Sequence, residues 1–362
     1  MSKKLLIKSR LKNYEVSFVD GLAEPIKASV KRGDFLFIDE KVDKLYGEKL
    51  RGLFAEGSII ALDASEQNKT IDNCYRLIES LIEKNIRKNN TIFALGGGVI
   101  EDIAGFISSV IYRGIDWIFC PTTLLAQADS CIGSKTSINM GKYKNLLGSF
   151  YPPSKVFIDT DFLKSLPQKE LKSGIGEMLH FFLIDGNKRL AETLMADYND
   201  LLSSPGDLKE YIIASLKIKK EIIEIDELDR GERNLFNYGH TFGHAIETVT
   251  GYAINHGQAV TMGMDIANYL SLKLGYIDKK AFDDMHKILD KNIPDFKLEE
   301  DHIDDYLKTL SRDKKNIGKE LGCILTKGHG KMMRMQIPMD GKLKSIIKSY
   351  FEESGSHAED IS

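Results

Sequence analysis

Five short apolar, β-branched runs recur through the first half of the chain: DFLFID (Asp34 to Asp39), SIIAL (Ser58 to Leu62), TIFAL (Thr91 to Leu95), DWIFC (Asp116 to Cys120) and KVFID (Lys155 to Asp159). Stretches with helical periodicity, such as IDNCYRLIESLIEKNIRK, separate them. A strand buried on both faces reads as a continuous apolar run, and its alternation with helices predicts a mostly parallel sheet covered on both sides. The opening KLLIKSRLKNYEVSFV reads as two further strands, an edge hairpin.

After Asp161 the pattern turns to long helical periodicity, in QKELKSGIGEMLHFFLI, DLKEYIIASLKIKKEIIEID, HTFGHAIETVTG and GQAVTMGMDIANYLSLKLG, and only LGCILTKG and KMMRMQIP look like strands. The expected organisation is an α/β domain over 1–161, a mainly α-helical domain over 162–351, and a polar, acidic tail over 352–362 that reads as disordered.

With 50 basic and 53 acidic residues the formal charge is −3, which supplies no global field to draw in nucleic acid or a membrane surface. Any anionic ligand has to be met locally. Cys74, Cys120, Cys131 and Cys323 are few and scattered, as suits free thiols in a reducing compartment. No stretch has the apolar length of a secretory core or a membrane span, so a cytoplasmic protein is expected.

Three places carry candidate chemistry. Gly96, Gly97 and Gly98 follow a buried strand and precede a helix, where backbone N–H groups can approach a phosphate; a ligand-free tight turn is the alternative. Glu101, in the first turn of that helix, either competes with such a phosphate or stabilises the dipole. His240 and His244 form an HxxxH pair and His256 follows in NHGQAV; the i, i+4 spacing puts the first two on one helix face, where they can share a metal or a ligand. Glu177, a carboxylate on an otherwise apolar helix face, is a candidate third ligand. Lys135, Lys144, Lys219, Arg233, Lys314 and Lys315 are the cations of interest, although any single one of them, taken alone, reads sooner as a solvated side chain.

Together these segments resemble the 3-dehydroquinate synthases, within the wider sugar phosphate cyclases. ALGGGVIEDIAGF, YRGIDWIFCPTTLLAQADS, GSKTSINMGKYKNLLGSFYPPSKVFIDTDFLKSLP, ERNLFNYGHTFGHAIE and HGQAVTMGM occur in the family's order, from about Asp34 to about Gly330. The resemblance implies an N-terminal, Rossmann-like NAD-binding α/β domain, a helical metal-binding domain and a homodimer. It assigns the metal, typically zinc and alternatively cobalt, to Glu177, His240 and His256, and turns His244 to a substrate phosphate. NAD would be held by Asp39, Glu66, Lys69, Gly97, Gly98, Asp102, Thr122, Thr123 and Lys144. Substrate contacts would fall on Asp129, Lys135, Asn145, Lys219, Arg233, Asn237 and Lys314 or its neighbour Lys315, with Arg113 reaching a phosphate in the neighbouring subunit.

The implied substrate is a phosphorylated sugar acid, 3-deoxy-arabino-heptulosonate 7-phosphate. Oxidation of one ring hydroxyl acidifies the adjacent C–H, phosphate leaves, the hydride returns, and the opened chain closes by an aldol step. The alternatives are a specialised cyclase with a different (amino-)heptulosonate or sugar phosphate, and a metal-dependent polyol dehydrogenase. Five positions depart from the family pattern. Glu101, Ser134 and Ser137 stand for glycines, so reduced backbone freedom is expected at each. His180 stands for a lysine, which replaces a permanent cation with a group near its titration point. Gln258 stands for a glutamate and removes a charge beside the third metal ligand.

Overall fold

The computed structural model describes residues 3–141, 143–296, 298, 300–312 and 316–356. It divides into two compact units, one formed by 1–167 with 204–228 and the other by 168–203 with 229–362. The division differs from a single break at Asp161. Periodicity marks Lys209–Ile225 as a helix but not its neighbours, and this helix returns to the first unit, where Ser215 Oγ donates to the Ala128 carbonyl at 2.8 Å. The tail expectation also changes. The last helix runs Gly341–Ser356, so the chain is helical past residue 352, and 357–362 lie outside the described residues.

The first unit is built on a seven-stranded sheet in the order β1-β2-β9-β6-β5-β3-β4. Its strands are β1 (Lys4–Ile7), β2 (Tyr14–Phe18), β3 (Phe35–Asp39), β4 (Ile59–Leu62), β5 (Thr91–Gly96), β6 (Asp116–Pro121) and β9 (Lys155–Ile158). Only the β1–β2 edge pair is antiparallel; all other neighbours are parallel. The predicted strands and the edge hairpin are therefore present. Leu36, Ile38, Phe93, Leu95, Ile118 and Cys120 pack against Leu22, Ile26, Leu50 and Phe54 in one apolar cluster. Each such side chain contributes roughly 1.5–3 kcal/mol on burial.

Connections from β3 leave to β4 on one side, while β5 pairs on the other. In an open parallel sheet this reversal opens a crevice at the carboxyl ends of the strands, where ligands bind. Asp39 ends β3, and Gly97 and Gly98 follow β5, so both lie at that crevice. A separate antiparallel hairpin, β7 (Lys135–Met140) with β8 (Tyr143–Phe150), is absent from the sequence reading because KTSINM and YKNLLGSF carry no clean apolar alternation.

The second unit is helical, with one two-stranded pair among the described residues, β10 (Glu320–Thr326) and β11 (Met332–Pro338). Its centre is formed by the helices Gln168–Asp185, His240–Val249 and His256–Lys273. The first of these is buried from Ser173 to Ile184, as its all-round apolar sequence requires. Among the described residues no helix is long and apolar enough to cross a membrane.

Candidate active site

Glycines explain why three polar side chains meet inside the helical unit. A Cβ on Gly257 would lie 1.7 Å from the Ser173 carbonyl oxygen, and one on Gly263 would lie 2.0 Å from that of Gly239. These separations are far inside van der Waals contact, so only glycine lets the helix backbones touch. Glu177, His240 and His256 are the immediate neighbours of Gly176, Gly239 and Gly257, and backbone contact at those glycines converges the three side chains.

Glu177 Oε1 stands 3.1 Å from His256 Nε2 and 3.4 Å from His240 Nε2. Two ligands bonded at about 2.1 Å to a tetrahedral ion stand roughly 3.4 Å apart, so the spacing fits a shared divalent cation. The oxygen is buried and makes no hydrogen bond of acceptable geometry. A carboxylate oxygen and an unprotonated imidazole nitrogen oppose lone pairs, and a cation or a proton between them removes the repulsion. Burial raises the Glu177 pKa, but the adjacent His240 and His256 imidazoles outweigh it and hold the carboxyl well below its usual range. For His256 burial acts downward, while the adjacent Glu177 and Glu247 carboxylates raise the pKa well above the ordinary histidine value. His244 is exposed, with its ring 5.5 Å from His240 and 5.6 Å from His256. Arg233 is buried on the short turn Glu232–Asn237 that leads into His240, and Asn237 ends that turn with its amide donating to the Asn234 carbonyl at 2.9 Å.

His180 corrects the sequence expectation. It is completely buried, its ring meets Phe181 at 5.1 Å and His240 at 4.9 Å, and neither nitrogen has a hydrogen-bond partner. Burial, with the His240 charge adding to it, pushes its pKa down to about 3. The side chain is a neutral packing group rather than one near its titration point. Gln258 turns its amide toward the Asn292 carbonyl at 3.5 Å. The carboxylate that meets a candidate ligand is Glu247, which sequence reasoning passed over although it sits seven residues after His240 on the same helix.

In the first unit the candidate residues form two groups. Lys69 is buried and donates to Asp102 Oδ2 at 2.9 Å and to Asn145 Oδ1 at 2.8 Å, with Glu66 at 3.3 Å. Asp102 also accepts from the Ser137 N–H at 2.7 Å and its hydroxyl at 2.8 Å. Assignments that the resemblance splits between cofactor and substrate thus share one network. In the second group Lys219 Nζ lies 2.7 Å from both Oδ1 and the backbone oxygen of Asp129.

At the strand ends, a Cβ on Gly97 would strike Thr123 Cγ2 at 2.8 Å, whereas Gly98 faces open space at the start of the helix Gly98–Val110. Free N–H groups at such a helix start suit an anion. Thr122 donates its N–H to the Gly96 carbonyl at 2.9 Å, Thr123 Oγ1 accepts from the Ala126 N–H at 3.2 Å, and Asp39 Oδ1 accepts from the Lys41 N–H at 2.7 Å. Glu101, buried in that helix, accepts a short hydrogen bond from the Ser130 hydroxyl. Lys135 and Lys144 are exposed on the β7–β8 hairpin. Arg113 is exposed on a turn in which Tyr112, Arg113 and Gly114 all have positive φ (49°, 61° and 116°). Such backbone is held only where surroundings enforce it, and it clusters at functional sites. Lys314 and Lys315 lie outside the described residues.

The three departures from glycine are not equivalent. Ser134 has φ of 65°, so a left-handed backbone persists there without glycine. Glu101 is helical and Ser137 lies in β7, so at these two positions backbone freedom is not at issue.

Models of the 3-dehydroquinate synthase N-terminal and C-terminal domains match residues 59–173 and 174–316. The chain is 38% identical over 361 residues to the 3-dehydroquinate synthase of Alkaliphilus metalliredigens, covering 96% of this chain and 99% of that one. A 2-deoxy-scyllo-inosose synthase solved with carbaglucose-6-phosphate, NAD+ and Co2+ superposes with a TM-score of 0.85 at 26% identity, over 97% of this chain and 100% of that one. A 2-epi-5-epi-valiolone synthase from Streptomyces hygroscopicus subsp. jinggangensis, solved with NAD+ and Zn2+, shares the fold with a TM-score of 0.83 at 23% identity, over 96% and 99%.

Proposed function

The chain belongs to the 3-dehydroquinate synthase family, whose members are phosphate-eliminating lyases, and we propose that it converts 3-deoxy-arabino-heptulosonate 7-phosphate to 3-dehydroquinate and phosphate. The observation that carries the reading is the buried Glu177 oxygen facing two imidazole nitrogens at 3.1 and 3.4 Å. Glu177, His240 and His256 are the proposed holders of zinc or cobalt, and the β3 and β5 ends with Gly97 and Gly98 the proposed seat of NAD. NAD held there would supply a reversible hydride acceptor, and a divalent cation held by Glu177, His240 and His256 would supply polarisation of the hydroxyl being oxidised and so a lower pKa for it.

The chain's own residues bind and orient. Lys219 in the first unit and Arg233 in the second are each a buried cation of the kind that holds a carboxylate, and a guanidinium can do so through two parallel donors. In the first unit Lys135 and Asn145, and in the second Asn237 and His244, are groups of the kind that hold a phosphate, as is Arg113, which a second copy of a homodimer would supply. Lys69 draws Asp102 and Asn145 together, so that Asn145 is held in its left-handed conformation (φ 52°) and presented in one orientation. Fixing charged substrate groups in this way converts a mobile chain into one poised for elimination and ring closure.

The test is incubation with Zn2+, NAD and the heptulosonate phosphate, with the product identified by NMR. Phosphate and 3-dehydroquinate are expected in equal amounts, at a turnover on the order of 1 to 100 per second. Turnover of an amino-heptulosonate or hexose phosphate with none of the heptulosonate would overturn the substrate assignment and leave a cyclase of other specificity.

A further inference from the structure

His256 has a carboxylate at each ring nitrogen. Nε2 stands 3.1 Å from Glu177 Oε1, and Nδ1 stands 3.1 Å from Glu247 Oε2. An imidazole that ligates a cation through one nitrogen keeps a single N–H, on the other, so only one of those contacts can then be a hydrogen bond from it. The helix His240–Val249 explains how Glu247 arrives there. His240, His244 and Glu247 are spaced i, i+4 and i+7 and lie along one face, and the turn before His256 folds that residue back onto it.

We infer that Glu247 is a positioning residue that holds the His256 proton on Nδ1, so that the Nε2 lone pair faces the cation position shared with Glu177 and His240. The inference rests on the metal reading given above. A ligating histidine whose other nitrogen donates to a carboxylate is fixed in tautomer and ring orientation and becomes a more basic ligand. Glu247 is well placed for this, with its side chain only 15% exposed.

A competing arrangement is a second cation held by His244, Glu247 and His256, whose ligand atoms lie within 4.8 Å of one another. Ring orientation weighs against it. An ion lies in the plane of each imidazole that binds it, and the His244 and His256 rings are stacked with only 25° between their planes. The His240 and His256 planes are inclined by 58°. A second ion would also require His256 to give up both ring protons.

The experiment titrates the purified full chain, stripped with a chelator, with Zn2+ and Co2+ alone, in the wild type, Glu247→Gln and Glu247→Ala. The wild type is expected to take one ion per chain. Its dissociation constant should rise by about 10- to 100-fold in Glu247→Ala and by less in Glu247→Gln, whose amide oxygen still accepts from Nδ1–H. The visible spectrum of the Co2+ form should change as His256 reorients, while the melting temperature of the stripped protein stays the same. Should Glu247→Ala fail to fold, the near-isosteric Glu247→Gln carries the comparison.

Equal affinity and an identical Co2+ spectrum in all three proteins would overturn the positioning role. Two ions per wild-type chain, with one lost in Glu247→Ala, would overturn it in favour of a direct ligand. A wild type that binds no ion overturns the metal reading and the inference with it. One that binds its ion yet releases no phosphate overturns the proposed reaction and leaves Glu247 in place.

Discussion

A Cβ on Gly176 would lie 2.1 Å from the carbonyl oxygen of Gly257. The contact is backbone to backbone, so no rotamer change relieves it. Gly176→Ala must separate the Gln168–Asp185 and His256–Lys273 helices, and with them Glu177 and His256. Overpacking of this kind costs about 1–3 kcal/mol, and the loss of ligand convergence comes on top of it. The expected outcome is a lower melting temperature together with divalent-ion affinity reduced by more than tenfold. Unchanged ion affinity would mean that the helix contact does not set the site.

Lys219 is buried against Asp129, with two contacts of 2.7 Å, and is a cation proposed above to meet the substrate carboxylate. Lys219→Met removes the cation while keeping most of the volume. Loss of a charge-assisted contact of about 1.5–3 kcal/mol corresponds to a fall in kcat/KM of roughly 10- to 100-fold or more. Steady-state kinetics on the heptulosonate phosphate check this. Lys219→Arg should rescue poorly, since a planar guanidinium does not fit a pocket built around an ammonium.

Glu101 carries a pH prediction with a definite sign. Burial, helped by Asp102 and Asp129 and opposed by the Ser130 bond and Lys219, pushes its pKa up to about 8 from an ordinary 4.5. The native protein therefore keeps a proton that the unfolded chain gives up, and stability falls as pH rises from about 4.5 through about 8. Glu101→Gln mimics the protonated form at every pH. Urea unfolding should find the variant near wild type around pH 4.5 and more stable by on the order of a few kcal/mol at pH 8 and above. A difference that does not change with pH would contradict the assignment.

His286 shows the same sign for a base. Its Nδ1 is 2.9 Å from Asp265 Oδ1, Asp265 also accepts from the Tyr350 hydroxyl at 2.9 Å, and Asp290 and Asp283 stand nearby. The Asp265 bond raises the His286 pKa above its ordinary value, against the effect of burial. The stabilisation is complete below the unfolded pKa near 6.5 and is lost as pH rises through the raised folded value. Wild type should exceed His286→Gln in stability at pH 5.5, with the gap narrowing at higher pH. A gap that widens with pH would reverse the sign and refute it.

The parts of the fold that sequence makes legible are those with a strong period. The runs around Phe37, Phe93 and Phe119 are continuous apolar strands, and each is a strand in the sheet. The β7–β8 hairpin is illegible because its residues are polar and half exposed, and it is there that Lys135 and Asn145 sit. Glu177, His240 and His256 were identifiable from spacing and resemblance, and the glycine beside each gives the physical reason they meet. The environments of Glu247 and His180 arise only in three dimensions. The first depends on a loop bringing His256 back to its own preceding helix, and the second on complete burial turning a titratable ring into a neutral one.

A phosphate-eliminating cyclase returns its hydride in every cycle, whereas a polyol dehydrogenase of similar plan releases reduced cofactor. The decisive quantity is phosphate released per NAD, measured with Zn2+ present and NAD held at about one-hundredth of the heptulosonate phosphate. Phosphate release that runs far beyond the NAD supplied, with no accumulation of NADH, is the predicted result. NADH accumulating one for one with substrate consumed, or oxidation without phosphate release, would contradict the assignment of this chain as a cyclase.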